Sequence, residues 1–149
     1  MNPTHVTPIL NVSDVAASIA WFAALGMPLQ FAYGDEGPVS QEALAAGTHA
    51  GFASVGGDGA CVFLCEGAQG LRGGSEPRFE GDDACGAMWL SLWWPDGSQV
   101  DQVHAEAVQR GVKVLMAPRD EPWGVRECHL QHPDGHVLRV SAALPCPPA

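Results

Sequence analysis

The chain has 149 residues, a length that suits one compact domain or two small units that share a core. Apolar residues make up 46% of the sequence and charged residues 16%, so a wholly disordered chain is excluded. Lysine and arginine number 7 against 17 aspartate and glutamate residues, which gives a formal net charge of -10. This acidic balance argues against the basic, phosphate-neutralising surface of a nucleic-acid-binding protein.

The sequence shows no features of a membrane span or an export signal. No apolar run reaches the roughly 18 residues that a bilayer requires, and MNPTHVTPILNVSD lacks a basic start with a long apolar stretch. The cysteines are odd in number and include no CxxC pair, which favours reduced thiols; they are Cys61, Cys65, Cys85, Cys128 and Cys146. We therefore expect a cytoplasmic protein without a membrane partner.

A strand followed by a helix is predicted at the start of the chain. The strand is VTPILNV (6–12), after which Ser13 is suited to the N-cap and Gly26 to the C′ position of a helix. Apolar residues recur between these two at helical spacing, namely Val15, Ile19 and Phe22. MPLQFAY (27–33) predicts the next strand.

A short helix and two more strands are predicted next. The segment 34–47 is expected to hold the short surface helix, and GFASV and ACVFLCE the two strands. Residues 67–86 are dense in glycine and charge, which is typical of a linker between two halves or of a mobile loop that covers a ligand.

The second half of the chain repeats this order of elements. AMWLSLWW (87–94) alternates as a strand does, and a helix within 95–111 is expected to have Ser98 as its N-cap and to end at Gly111. Its buried stripe consists of Val100, Val103 and Ala107. Three strands and a tail follow: VKVLM (112–116), RECHLQ (126–131), HVLRVSA (136–142) and residues 144–149.

The repeat predicts an α+β fold in which two βαβββ modules, about 6–66 and 87–143, form a single domain of residues 1–149. PWGVRE (122–127) followed by PDGH (133–136), with a first helix that ends in LGM, resembles the vicinal oxygen chelate superfamily. That superfamily includes glyoxalase I, extradiol dioxygenases and bleomycin-resistance proteins, and the two motifs look most like the bleomycin-resistance branch. The resemblance implies mixed sheets that curl around a cleft, with the helices outside.

Metal-dependent members of this superfamily hold a divalent ion with His, Glu or Gln side chains at four strand positions. By this resemblance the matching residues are Thr7, Phe63, Ala87 and Arg139, which do not form a plausible ligand set. Arg139 would place a positive charge where the ion should sit. We therefore expect neither a metal nor another cofactor.

Strand alternation and the implied cleft together predict the ligand-lining residues. They are Phe63, Trp89, Trp93, Trp123, Glu127, His129 and Arg139. Tryptophan offers a flat face for stacking, and Trp123 is placed to close over a ligand. The alternatives are that the tryptophans fill the core, that Glu127 and Arg139 form a structural ion pair, and that His129 bonds a neighbouring carboxylate. His132 and His136 flank a Pro-Asp-Gly turn and are interpreted as turn residues.

Three functions remain compatible with these residues. The resemblance favours a metal-free protein that sequesters a bulky aromatic or cationic natural product and thereby confers antibiotic resistance. The net charge suits a cationic guest but equally suits solubility. A metal-dependent lyase, isomerase or dioxygenase is the alternative, against which the missing ligands argue. A metal-free enzyme with Glu127 or His129 as base lacks an evident second catalytic group.

The resemblance also implies a homodimer. Pro8 lies within the first strand and is similar to the proline in the exchanged N-terminal arm of bleomycin-resistance proteins. A proline in a strand favours an edge or a hinge. The expected partners are thus a small-molecule ligand and a second copy of the chain.

Overall fold

A computed structural model of the protein describes residues 5–57, 59–68, 70, 72 and 87–145. Most of the predicted linker, Cys85, Cys146 and most of the predicted tail lie outside these residues. The chain forms two compact units, Met1–Gly70 and Leu71–Ala149. Each unit contains one mixed β-sheet, and the class is α+β as predicted.

The first unit has a five-stranded sheet in the order β1-β5-β4-β2-β3. Its elements are β1 (Ile9–Asn11), α1 (Val15–Ala23), β2 (Leu29–Gly34), β3 (Gly37–Pro38), α2 (Gln41–Ala45), β4 (Phe52–Gly57) and β5 (Ala60–Cys65). β1 runs parallel to β5, and the other pairs are antiparallel. The short helix predicted within 34–47 is α2, but the two-residue strand β3 before it was not predicted from the sequence.

Helix α1 begins one residue later than predicted. The N-cap is Asp14, not Ser13, because the Asp14 carboxylate accepts a hydrogen bond from the backbone N–H of Ala17 at 2.9 Å. Gly26 takes φ 77° in the turn that follows the helix, where the Met27 N–H donates to the Phe22 carbonyl at 3.1 Å. The positive φ explains why glycine stands there.

Helix α1 packs its apolar stripe on one face of the first sheet. Val15 and Phe22 are fully buried, and Trp21 is buried with its ring 5.0 Å from that of Phe22 in an edge-on arrangement. The sheet contributes small and branched side chains, which are Ala53, Val55, Val62 and Leu64. Trp21 is therefore a core residue, as its helical position indicates.

The second unit has a four-stranded sheet in the order β6-β9-β8-β7. Its elements are β6 (Trp89–Trp93), α3 (Gly97–Gln109), β7 (Lys113–Glu121), β8 (Val125–Gln131) and β9 (Val137–Ala143). β6 runs parallel to β9, and the other pairs are antiparallel. The predicted stripe of α3 is buried against a sheet face that contributes Cys128, Leu130, Leu138 and Val140. None of the described helices is long and apolar enough to cross a membrane.

The N-cap of helix α3 lies two residues before the predicted one. Asp96 is the N-cap, and its carboxylate accepts from the backbone N–H groups of Ser98 and Gln99, so the prediction of Ser98 is wrong. A carboxylate outcompetes the neighbouring hydroxyl because it carries a full negative charge at the positive end of the helix. Gly111 ends the helix with φ 74°, as predicted.

Strand β7 is longer than the predicted 112–116 because it continues through irregular pairing. The register with β8 shifts between Val114 and Met116 and again before Arg119. Pro118 lies in the second of these irregular stretches, where the lack of an N–H costs no ladder bond. The extension carries Arg119 and Glu121 into the sheet.

Candidate functional site

The candidate site is the face of the second sheet opposite α3, which we call the far face of the second unit. Alternation along β8 sends Cys128 and Leu130 toward α3 and leaves Glu127 and His129 on the far face. The register then places residues of neighbouring strands in two rows. One row is Ser91, Arg139, His129 and Met116, and the next is Trp93, Ser141, Glu127 and Arg119.

A buried carboxylate lies at the centre of the far face. Glu127 is only 2% exposed, and both of its oxygens have partners. Oε2 accepts hydrogen bonds from Nε of Arg139 at 2.6 Å and from Nη2 of the same guanidinium. Oε1 lies 3.3 Å from Nε2 of His129. The ion pair between Glu127 and Arg139 and the bond of His129 to a carboxylate, both considered from the sequence as alternatives to ligand contacts, are therefore present.

The charge of Glu127 is fixed by these partners. Burial raises the pKa of the carboxyl group, but the hydrogen bonds and positive charge of Arg139, together with His129, outweigh burial and hold the pKa below its ordinary value. Glu127 is thus an anion at neutral pH and a weak proton acceptor. This arrangement suits a structural and electrostatic role better than general-base catalysis.

Two tryptophans stand on the far face at the edge of the sheet. Trp89 and Trp93 are 48% and 58% exposed, in contrast to the buried Trp21. The indole of Trp89 reaches across β9 to His129, with the ring centroids 5.2 Å apart in an edge-on arrangement. Large aromatic faces left this exposed beside a paired ionic group are suited to stacking on a planar ligand.

Trp123 lies apart from this group, in the turn between β7 and β8. The Gly124 N–H donates to the Glu121 carbonyl at 3.0 Å, and Gly124 takes φ 81°, which closes a short hairpin turn. Trp123 is exposed at this turn. The loop that carries Trp123, residues 122–124, is therefore three residues long.

The remaining predicted site residue, Phe63, belongs to the first unit. It lies on the sheet face opposite α1, the far face of the first unit, in a cluster with Phe31 and Phe52 at centroid distances of 6.0 and 5.2 Å. Tyr33 extends the cluster through Phe31 at 5.8 Å. The two units thus present different far faces, one aromatic and one built around ionic groups.

The side chains at the four strand positions where related proteins bind a metal are not suited to hold an ion. The Thr7 hydroxyl lies 3.5 Å from the Cys61 thiol, Phe63 packs among aromatic rings, and Arg139 is engaged by Glu127. Within the described residues, no group of three or more His, Cys, Asp or Glu side chains is placed to hold an ion. Cys61, Cys65 and Cys128 are free thiols, as predicted.

His132 and His136 form the turn between β8 and β9, as interpreted from the sequence. The His132 N–H donates to the His136 carbonyl at 2.8 Å, and both rings are buried, 5.6 Å apart. Burial lowers the pKa of His132 to about 4, helped by the charge of His136 and opposed by Asp134. Nδ1 of His132 accepts from the Asp134 N–H at 3.1 Å, so the neutral ring is part of the turn.

Sequence reasoning missed four contributors to the far face of the second unit. Ser91 lies between the two tryptophans, and alternation along β6 was the available indication of its position. Arg119 donates from Nε to Glu121 at 2.5 Å, but these residues fall beyond the predicted end of β7. The Ser141 hydroxyl is fully buried and makes no hydrogen bond to any described residue.

Comparison with known proteins identifies the family. The sequence profile of the Glyoxalase/Bleomycin resistance protein/Dioxygenase superfamily matches residues 3–140, and the chain belongs to this superfamily. No curated protein sequence matches the chain significantly.

Solved structures share the fold at low sequence identity. TioX from Micromonospora sp. ML1 is 16% identical with a TM-score of 0.67, over 95% of this chain and 100% of that one. A bleomycin resistance determinant encoded on the transposon Tn5 is 17% identical with a TM-score of 0.59, over 95% and 98% of the two chains. A bleomycin-binding protein complexed with bleomycin is 18% identical with a TM-score of 0.58, over 94% and 98%.

Proposed function

We propose that this protein is a metal-free small-molecule binding protein of the bleomycin-resistance type, which sequesters a bulky aromatic natural product. The observation that carries the proposal is the pair of half-exposed tryptophans, Trp89 and Trp93, beside the buried Glu127–Arg139 ion pair. Structural similarity to a bleomycin-binding protein and to a bleomycin resistance determinant adds support.

The arrangement of the ionic groups favours binding over catalysis. Both oxygens of Glu127 are engaged, and the lowered pKa of its carboxyl group makes it a weak base. Metal-assisted chemistry would need oxygen or nitrogen donors that converge on an ion. At one of the four positions where a metal ligand is expected, this chain instead has Arg139, whose positive charge is paired with Glu127. We therefore favour a ligand-binding protein over a lyase, an isomerase or a dioxygenase.

The proposal extends to the organisation of the protein. We propose one domain of residues 1–149, built from two modules and a linker, that acts as a homodimer in the cytoplasm. Pro8 supports an edge position for the N-terminal strand, because β1 lies at the edge of its sheet and the Pro8 carbonyl accepts from the Phe63 N–H at 2.9 Å. Light scattering at micromolar concentration tests the dimer, and a monomer would contradict it.

Titration with bleomycin tests the binding function directly. We expect saturable quenching of tryptophan fluorescence and an affinity at least about fivefold weaker in Trp89→Ala and Trp93→Ala, because each removes a stacking face worth about 1 to 3 kcal/mol. Met88→Ala is the matched control, since Met88 is also exposed but alternates onto the opposite side of β6.

Two results would contradict the proposal. The first is that neither bleomycin nor a naphthalene-based aromatic probe binds. The second is that protein purified without chelator contains a stoichiometric divalent ion. The first result would remove the binding function, and the second would restore the metal-dependent alternative.

A further inference from the structure

The charged groups on the far face of the second unit are arranged with the anions inward and the cations outward. The side chains of Glu127 and Glu121 are 3% and 7% exposed. Their partners Arg139 and Arg119 are 26% and 62% exposed. The chain as a whole is strongly acidic, but this surface presents guanidinium groups to a ligand.

The hydrogen-bonding groups still available on this face are mainly donors. Arg139 uses Nε and Nη2 to bind Glu127, whereas its Nη1 makes no hydrogen bond to any described residue. The indole N–H groups of Trp89 and Trp93 are donors by chemistry. Glu127 is only 2% exposed and both of its oxygens already have partners, so this carboxylate is not accessible to a ligand as an acceptor. A ligand that matches the face must therefore bring acceptors.

Two exposed indoles, Trp89 and Trp93, flank the donors along β6. Ser91 is a small exposed residue between Trp89 and Trp93 on β6, and it lies directly opposite Arg139 in the register. Trp89 and Trp93 are four residues apart on one strand face, which corresponds to roughly 13 Å between their backbones. We call this set the tryptophan notch: Trp89, Ser91, Trp93 and Arg139.

We propose that the tryptophan notch binds a planar aromatic ring system that carries a carboxylate or carbonyl oxygen. The ring lies against Trp89 and Trp93, and the oxygen accepts hydrogen bonds from Nη1 of Arg139 and from the Ser91 hydroxyl. This inference rests on the proposed function and narrows its ligand to an acceptor-bearing aromatic.

The negative net charge of the chain does not prevent the tryptophan notch from preferring a ligand with a carboxylate or carbonyl oxygen. At physiological ionic strength, charges are largely screened beyond about 8 Å, so distant carboxylates act weakly on a bound ligand. A guanidinium in contact with the ligand forms charge-assisted hydrogen bonds, which are about twice as strong as neutral ones. An ammonium group in the notch would instead face the like charge of Arg139, with the neutral Ser91 hydroxyl rather than a carboxylate as its acceptor.

Three probes with one ring system test the ligand class. Isothermal titration calorimetry at 150 mM salt compares 2-naphthoate, 2-naphthamide and 2-naphthylmethylammonium, which share the naphthalene and differ in the polar group. We expect 2-naphthoate to bind at least tenfold more tightly than the ammonium probe, with the amide between them. Equal or tighter binding of the ammonium probe would overturn the proposal.

Two variants locate the interaction. Ser91→Leu places a bulky apolar side chain between the two tryptophans and retains both residues of the Glu127–Arg139 pair, and we expect at least a tenfold loss of 2-naphthoate affinity. Arg126→Gln is the matched control, because Arg126 binds Asp101 of α3 and Asp120 of β7, away from the notch. An unchanged affinity in Ser91→Leu, or an equal loss in both variants, would overturn the assignment to the notch.

Comparison with bleomycin separates this inference from the proposed function. If bleomycin binds and none of the three probes does, the ligand class is wrong and the binding function stands. If bleomycin and all three probes fail to bind, both proposals fall.

Discussion

The two units repeat one order of strands and helix, but the chemistry of their far faces differs. In the first unit Phe31, Phe52 and Phe63 pack on one another, with centroid distances of 5.2 to 6.2 Å. In the second unit a buried carboxylate, Glu127, is held between Arg139 and His129. The same backbone plan therefore supports an apolar cluster in one unit and an ionic network in the other.

This difference should determine how each far face responds to mutation. An aromatic cluster loses area and contacts in proportion to what is removed. A buried ionic network fails more abruptly, because removing one partner leaves the other charged and without compensation. The three tests below run from the largest expected effect to the smallest.

The largest loss is expected from Arg139→Met. The change leaves Glu127 buried without its cation, and breaking such a pair costs about 3 to 5 kcal/mol of the free energy of unfolding. Urea denaturation followed by fluorescence and circular dichroism measures the change. The double variant Arg139→Met/Glu127→Leu removes both charges and should recover most of the loss. Equal stability of the single and double variants would show that the pair is not buried as described.

A smaller loss is expected from Phe63→Ala in the first unit. The substitution removes a half-buried ring that contacts Phe31 and Phe52, for a cost of roughly 2 to 3 kcal/mol in the same denaturation experiment. Phe63→Leu retains most of the apolar volume and should lose less than half as much. A loss in Phe63→Ala as large as that in Arg139→Met would remove the distinction between the two faces.

The smallest expected effect is a loss of folding stability at acidic pH, which arises from His132 in the second unit. His132 is buried there with its pKa lowered to about 4, whereas His5 and His49 of the first unit are exposed. Between pH 6.5 and 4 the unfolded chain binds a proton at His132 that the folded protein does not, so stability falls as the pH falls. The expected loss between pH 7 and pH 5 is about 2 kcal/mol.

His132→Asn isolates this contribution. The asparagine oxygen replaces Nδ1 as the acceptor of the Asp134 N–H but does not titrate, so the variant should lose the His132 part of the slope. Urea midpoints at pH 7, 6 and 5 give the slope for both proteins. Identical slopes would mean that His132 is protonated equally in the folded and unfolded states.

Much of the fold followed from local patterns. Helix spacing and the glycines at 26 and 111 located both long helices, and alternation assigned the faces of β6 and β8. Both N-caps were misplaced because Ser and Asp have similar capping preferences and stand close together. The end of β7 was missed because irregular pairing around Pro118 depends on the partner strand β8.

Only some residues of the candidate site could be predicted from the sequence, and their contacts could not. Alternation identified Glu127 and His129 as residues of one face, and a family resemblance drew attention to Arg139. The partners of Glu127 depend on the diagonal distance between β8 and β9, which the register fixes. The contribution of Ser91 also required the register, because only the pairing of β6 with β9 places it opposite Arg139.

The sequence by itself determined an acidic chain of two repeated modules, the positions of its main helices and strands, and the aromatic character of the strands around Trp89 and Trp93. These properties are local or compositional, so they need no knowledge of neighbouring strands. The tertiary structure decided which charges are buried. The carboxylates of Glu127 and Glu121 lie inward and their arginines outward because a short side chain on a sheet stays near the backbone, whereas an arginine reaches the surface along its stem. Because of that orientation, the far face of the second unit exposes hydrogen-bond donors although the chain as a whole is acidic.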